Sequence, residues 1–175
     1  MITLFFKISM FISSYSPLYL FILILNWSQV SKNPLLQKYV LAGIIILLTW
    51  SMLTVLVVLS NKGNENIDLE GASLKSDEII SYIVTYVVPL ITIDINDFRI
   101  VLVNILLFIV IGVGYIHQNL IYLNPSMLIF KYRIYEKGSW IALSNMSLDE
   151  MKNNKYKLLS KELIPNVYIV RKKDN

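Results

Sequence analysis

The sequence predicts a membrane α-helical protein of about four transmembrane helices, followed by a small β-rich C-terminal domain on the cytoplasmic side. Three observations predict it. Apolar residues make up 55% of the 175-residue chain and charged residues only 16%, against roughly 25% charged in soluble domains. Residues 39–60 and 100–116 are long apolar runs without a charge. Beyond residue 124 the pattern changes to short runs that alternate apolar and polar residues. A chain of this length folded as one globule leaves much of its surface in water, so a bilayer is the natural solvent for a mean hydropathy of +0.58.

The helical domain is expected over 1–123, with spans near 5–27, 39–60, 79–96 and 99–122. In the first, Lys7 and Trp27 bracket the apolar run as snorkelling and interfacial side chains do. A signal peptide is the competing reading, disfavoured because no small-x-small cleavage site follows. Ser13, Ser14, Ser16 and Pro17 interrupt its middle and predict a kink whose freed backbone groups neighbouring helices must satisfy. The second, Tyr39 to Ser60, matches the about 20 residues needed to cross hydrocarbon. A short turn containing Lys32, Pro34 and Lys38 precedes it, and a polar, flexible connection over 61–78 follows. The third run, Ile79 to Ile93, is short and contains Pro89; a re-entrant segment is the alternative to a full span. The fourth lies between Arg99 and Tyr122 and continues into an amphipathic "HQNLIYL".

The β-rich domain is expected over 124–175, with strands in "MLIFKYRIYEKG", "SWIALS", "YKLLS" and "NVYIVRKK". Ser147 with Glu150 three residues on marks a helix start. So few strands have too little core to stand alone, so the domain must pack on the membrane part, a second copy or a partner.

Charge sets the orientation. Of 16 Lys and Arg, ten lie from Lys131 onward. With four spans and both termini inside, 13 basic residues are cytoplasmic and three (Lys32, Lys38, Arg99) are outside, as the positive-inside rule prefers. The predicted location is the bacterial cytoplasmic (inner) membrane.

Catalytic signals are lacking. The chain has no cysteine and one histidine, His117, so no thiolate site, metal cluster or Ser/His/Asp set can be assembled from it. It has no Gly-rich phosphate loop. No enzyme activity and no cofactor are expected. Asp94, Asp97 and His117 are the residues an ion channel or small transporter would use, and that is the alternative function. Gly43, Asn104, Gly112 and Gly114 read as helix-packing or oligomer contacts, because small residues let backbones approach and an amide in hydrocarbon seeks a partner. Thr49, Trp50 and Ser51 are similar. In the tail, Lys131, Tyr132, Arg133, Tyr135, Glu136, Arg171 and Lys172 combine basic and aromatic side chains. Beside a membrane these meet anionic lipid or a protein, and no direct nucleic-acid contact is expected.

One further pattern is specific. Tyr82, Tyr86 and Pro89 in the third run are followed by Asn124 and Pro125 after the last span. Then come Tyr132, Arg133, Tyr135 and Glu136 in "YRIYE" and, near the end, "NVYIVRK". Over about the last hundred residues this layout resembles the KwaA family, the membrane subunits of the bacterial Kiwa antiphage defence system. The resemblance implies a homo-oligomeric inner-membrane sensor that responds to phage attack. It also implies a cytoplasmic, DNA-binding partner of the KwaB type that blocks phage replication and late transcription.

Overall fold

The computed structural model describes residues 2–61, 63, 65–67, 69, 71–75, 77–82, 84, 97–152 and 158–172. The first apolar stretch forms α1 (Ile2–Ser14) and α2 (Ser16–Leu25), broken at Tyr15. This is the expected kink, and its cause is Pro17, which lacks the N–H to continue the helix and occupies the first turn of α2. One turn, α3 (Trp27–Val30), leads to a return at 31–33.

The long helix α4 runs from Pro34 to Ser60 and so begins five residues before the expected 39. The signal was in the sequence. Asn33 accepts from the Leu35 and Leu36 amides at 3.1 and 3.2 Å, and Pro34 suits the first helical position, where no N–H is needed. After α5 (Asp77–Tyr82), the next described long helix is α6 (Phe98–His117). The third apolar run mostly lies outside the described residues, including Tyr86, Pro89 and Asp94. Three helices, Leu4–Leu25 (α1 with α2), Pro34–Ser60 and Phe98–His117, are long and apolar enough to cross a membrane.

α1 and α2 lie antiparallel to α6. Lys7 reaches the Ile116 carbonyl at 3.4 Å, while Leu18, Tyr19 and Ile22 share a groove with Val101, Asn104, Ile105 and Phe108. The turn at 31–33 makes α4 antiparallel to α1 and α2 as well, with Phe5 edge-on to Trp50 at 5.8 Å. Hence α4 and α6 run the same way.

At their C-terminal end sits a six-stranded sheet of order β1-β5-β6-β4-β3-β2. The four tail runs supply β3 (Arg133–Lys137), β4 (Trp140–Ser144), β5 (Leu158–Ile164) and β6 (Val167–Lys172). The edges come from elsewhere. The 61–78 connection, expected to be flexible, supplies β1 (Glu65–Asn66) on β5 and β2 (Ser73–Leu74) on β3. Two-residue edges leave little ladder for another chain to pair with. All pairs are antiparallel except β4 with β6.

Alternation puts Ile134, Ile141, Leu143, Val167 and Ile169 on one face, where they join Met10, Phe11, Tyr15, Val55, Val58 and Tyr115 in a continuous core with the helices. The other face carries Tyr135, Ala142, Leu158 and Val170, covered by Leu69, Ala72 and Met146 from loops. The core that so few strands lack is thus provided from both sides. Between β4 and β5, α8 (Leu148–Lys152) opens with the expected capping box. The Ser147 amide donates to Glu150 Oε2 at 2.7 Å, and the Glu150 amide to Ser147 Oγ at 3.2 Å. The hydrogen bond from the Ser147 backbone, then that from its side chain, holds the Glu150 carboxyl below the ordinary glutamate range. A carboxylate of depressed pKa adds stability above its unfolded value and loses it on acidification.

Candidate functional site

Between α6 and β3 the chain makes a 3₁₀ turn (Leu120–Tyr122) and then α7 (Pro125–Ile129). The tip of this excursion, Asn124 to Ser126, is buried against the bend of the first span. Asn124 Nδ2 donates to Ser13 Oγ at 3.0 Å and to the Met10 carbonyl at 3.4 Å, while its Oδ1 accepts from the Ser126 amide at 2.9 Å. Ser126 Oγ donates to the Ser13 carbonyl at 2.9 Å. That carbonyl is the one whose partner would have been the N–H of residue 17, and Pro17 has none. The expectation that neighbours would satisfy the kink is met by the "NPS" sequence.

Where the tail meets the 61–78 connection, Lys75 bonds Glu78 Oε1 at 2.8 Å and Glu136 Oε1 at 2.9 Å. Its backbone amide donates to the Ile134 carbonyl at 2.9 Å. The bonds to Glu78 and then Glu136 raise its pKa well above the ordinary lysine value. A raised lysine contributes stability at all pH below its unfolded value, so this clamp stays charged through the neutral range. Replacing Lys75 with Met is expected to cost at most about 1 kcal/mol, since all three side chains are about a third exposed and solvent screens such pairs. Denaturant titration at low and high salt checks this: the loss should shrink in high salt.

The predicted tail residues separate by depth. Tyr132 and Tyr135 are buried, and the Tyr135 hydroxyl donates to the Met146 carbonyl at 2.6 Å. Glu136 is engaged by Lys75. Lys131 and Arg133 are exposed, and Lys131 has a left-handed φ of 61°. Arg171 is half-buried, while Lys172 is exposed at the end of β6. Sequence reasoning missed an aromatic pair, the exposed Trp140 and the half-buried Tyr168, with ring centroids 5.4 Å apart. Trp140 is 41% exposed. The two come together only because β4 and β6 are neighbours, and nothing local in the sequence signals that pairing.

The helix residues also divide. Gly112 lies under the Phe11 ring, whereas a Cβ at Gly43 or Gly114 would meet nothing within 4 Å. Asn104 donates to its own helix at the Ile100 carbonyl, 2.9 Å. Thr49 and Ser51 likewise bond carbonyls one turn back, at 2.7 Å each. Of the channel candidates, Asp97 caps α6 through the Arg99 amide at 2.8 Å, His117 is exposed, and Asp94 lies outside the described residues. No group of three or more metal-ligating side chains occurs among the described residues.

The protein-family model described as "Anti-phage protein KwaA" matches residues 6–169, which is nearly the entire bundle and sheet. The chain belongs to the KwaA family of anti-phage proteins. The "Kiwa protein KwaA" of Escherichia coli O55:H7 (strain RM12579 / EPEC) is 25% identical over 195 aligned positions, covering 95% of this chain and 96% of that protein. No solved structure matches. The KwaA resemblance seen in the last hundred residues therefore holds, and it extends back through the first span. It places the chain in the Kiwa antiviral defence system.

Proposed function

We propose that this KwaA-family chain is a non-enzymatic sensor and scaffold of the bacterial inner membrane. Its helices would assemble into a homo-oligomer, and its sheet would recruit a soluble DNA-binding effector of the KwaB type. The observation that carries this reading is the way the sheet is built. Both edge strands come from the connection after α4 and one face packs on the helices, so the sheet moves with the bundle. A merely tethered tail would not.

In this reading the chain crosses the membrane four times, and helix direction supports that count. α4 and α6 run the same way, and α6 is 20 residues long, about 30 Å, so its start lies that far from the sheet at its other end. Both termini are then cytoplasmic, consistent with the charge distribution. Gly43, on the exposed face of α4, is an oligomer contact in this reading.

The outward face of the sheet offers Trp140 and Tyr168 near its rim, and Trp and Tyr are over-represented among residues that dominate binding energy. Trp140→Ala is expected to reduce recovery of the effector in a pull-down from detergent-solubilised membranes by at least about tenfold, a loss of roughly 1.4 kcal/mol. Arg133→Glu should reduce it further, and insertion should be unchanged for both. Undiminished recovery with both substitutions together would sink the docking role.

A further inference from the structure

α1 and α2 both pack on the bundle, α2 through Leu18, Tyr19 and Ile22. Lys7 bonds the end of α6, Phe5 rests on Trp50, and Phe11 lies over Gly112. Past the bend, Leu20, Phe21, Ile24 and Leu25 are exposed, so the bilayer acts directly on this arm. The bend itself is held by two residues from far along the chain, Asn124 and Ser126. Ser126 has one hydroxyl proton, and it goes to the Ser13 carbonyl. The 2.7 Å contact between Ser16 Oγ and Ser126 Oγ is therefore donated by Ser16. A relay runs from Ser16 through Ser126 to the carbonyl that Pro17 leaves without a helical donor, and Asn124 holds Ser13 from the other side.

The same segment continues through α7 and Lys131 into β3, and Met127 and Tyr132 lie in the core that the sheet shares with the helices. All the bonds are between neutral groups, so donors can exchange without moving a charge into hydrocarbon.

We propose that Asn124–Ser126 is a clip that couples the bend of the first span to the position of the sheet. A force on α2 that opens the bend withdraws the Ser13 carbonyl from Ser126, shifts the tip, and carries β3 with it. This goes beyond the scaffold reading and involves no partner, so its failure would leave that reading intact.

The test uses the full chain, which has no cysteine of its own, in nanodiscs of phosphatidylethanolamine and phosphatidylglycerol. Nitroxide pairs at Ile24→Cys with Val103→Cys and at Val113→Cys with Trp140→Cys report the bend and the sheet respectively, by pulsed dipolar spectroscopy. Straightening a proline kink of about 20° over an arm rising 1.5 Å per residue moves its end by about 4–5 Å. Ser126→Ala is expected to shift the first distance by this order and to shift the second with it. Ser126→Thr, which keeps the hydroxyl, should restore both. Pro17→Ala guards against a misfolded serine variant: it supplies a helical donor to the Ser13 carbonyl and should also move both distances. Either variant, properly folded, overturns the coupling if the sheet distance stays fixed.

Discussion

Replacing Gly63 with alanine is expected to release the sheet from the end of α4. The α-carbon of Gly63 lies so close to the backbone of β5 that an added Cβ would collide with the Ser160 carbonyl carbon, oxygen and amide nitrogen. These are strand atoms, fixed by the register in which Ser160 pairs with Val170 on one side and Glu65 on the other. No rotamer change can relieve the overlap. The chain between Ser60 and β1 has to move, and with it the Lys161–Asn61 hydrogen bond of 2.6 Å. Overpacking of this kind costs about 3 kcal/mol, which multiplies the undocked population roughly 150-fold at 1.4 kcal/mol per decade. Limited proteolysis of the detergent-solubilised chain, followed at sites in β5 and β6, reads that population. Gly43→Ala is the control, since its Cβ meets nothing within 4 Å and an alanine suits a helix better. Equal protection of the Gly63 variant and the wild type would refute the docking role assigned to this glycine.

The importance of Gly63 shows where the sequence was legible and where it was not. Apolar length marks α4 and α6 because a span must hide its backbone polar groups within itself. Ser147 with Glu150, and Pro17 among serines, are local chemistry and were readable as such. The four tail strands were legible through alternation. The edge strands Glu65–Asn66 and Ser73–Leu74 were not, because two residues carry no periodicity and their partners lie 60 or more positions away. The same limit hid the roles of Asn124 and Ser126. As "NPS" they read as a turn, and only the fold brings them to a carbonyl more than 110 residues earlier. Trp140 and Tyr168 belong here too. Tyr132 and Tyr135 illustrate the converse: residue type alone suggested a surface patch, but strand alternation sends their rings into opposite cores.

The bundle has its own close approach, and Gly112→Leu should show it. A Cβ at Gly112 would lie 2.8 Å from Phe11 Cε1 and 3.0 Å from Cζ. An exposed ring would swing aside at little cost. Phe11 is buried, boxed in by Tyr15, Phe108 and Tyr115 with centroids 5.0, 4.8 and 5.3 Å away, so α1 and α6 must separate instead. In a membrane this loss weighs heavily, because helix association there rests on packing rather than on expulsion of water. Gly112→Leu is expected to cost about 2 kcal/mol, lowering the thermal midpoint by roughly 4–8 °C for a chain of this size. Gly114→Leu, two residues on with nothing within 4 Å, should change it little. The cause is isolated by a double-mutant cycle. Phe11→Ala alone removes the ring and destabilises; combined with Gly112→Leu it frees the space that the new side chain needs, so the pair should lose less than the sum of the two. Strict additivity would mean that the two residues do not meet.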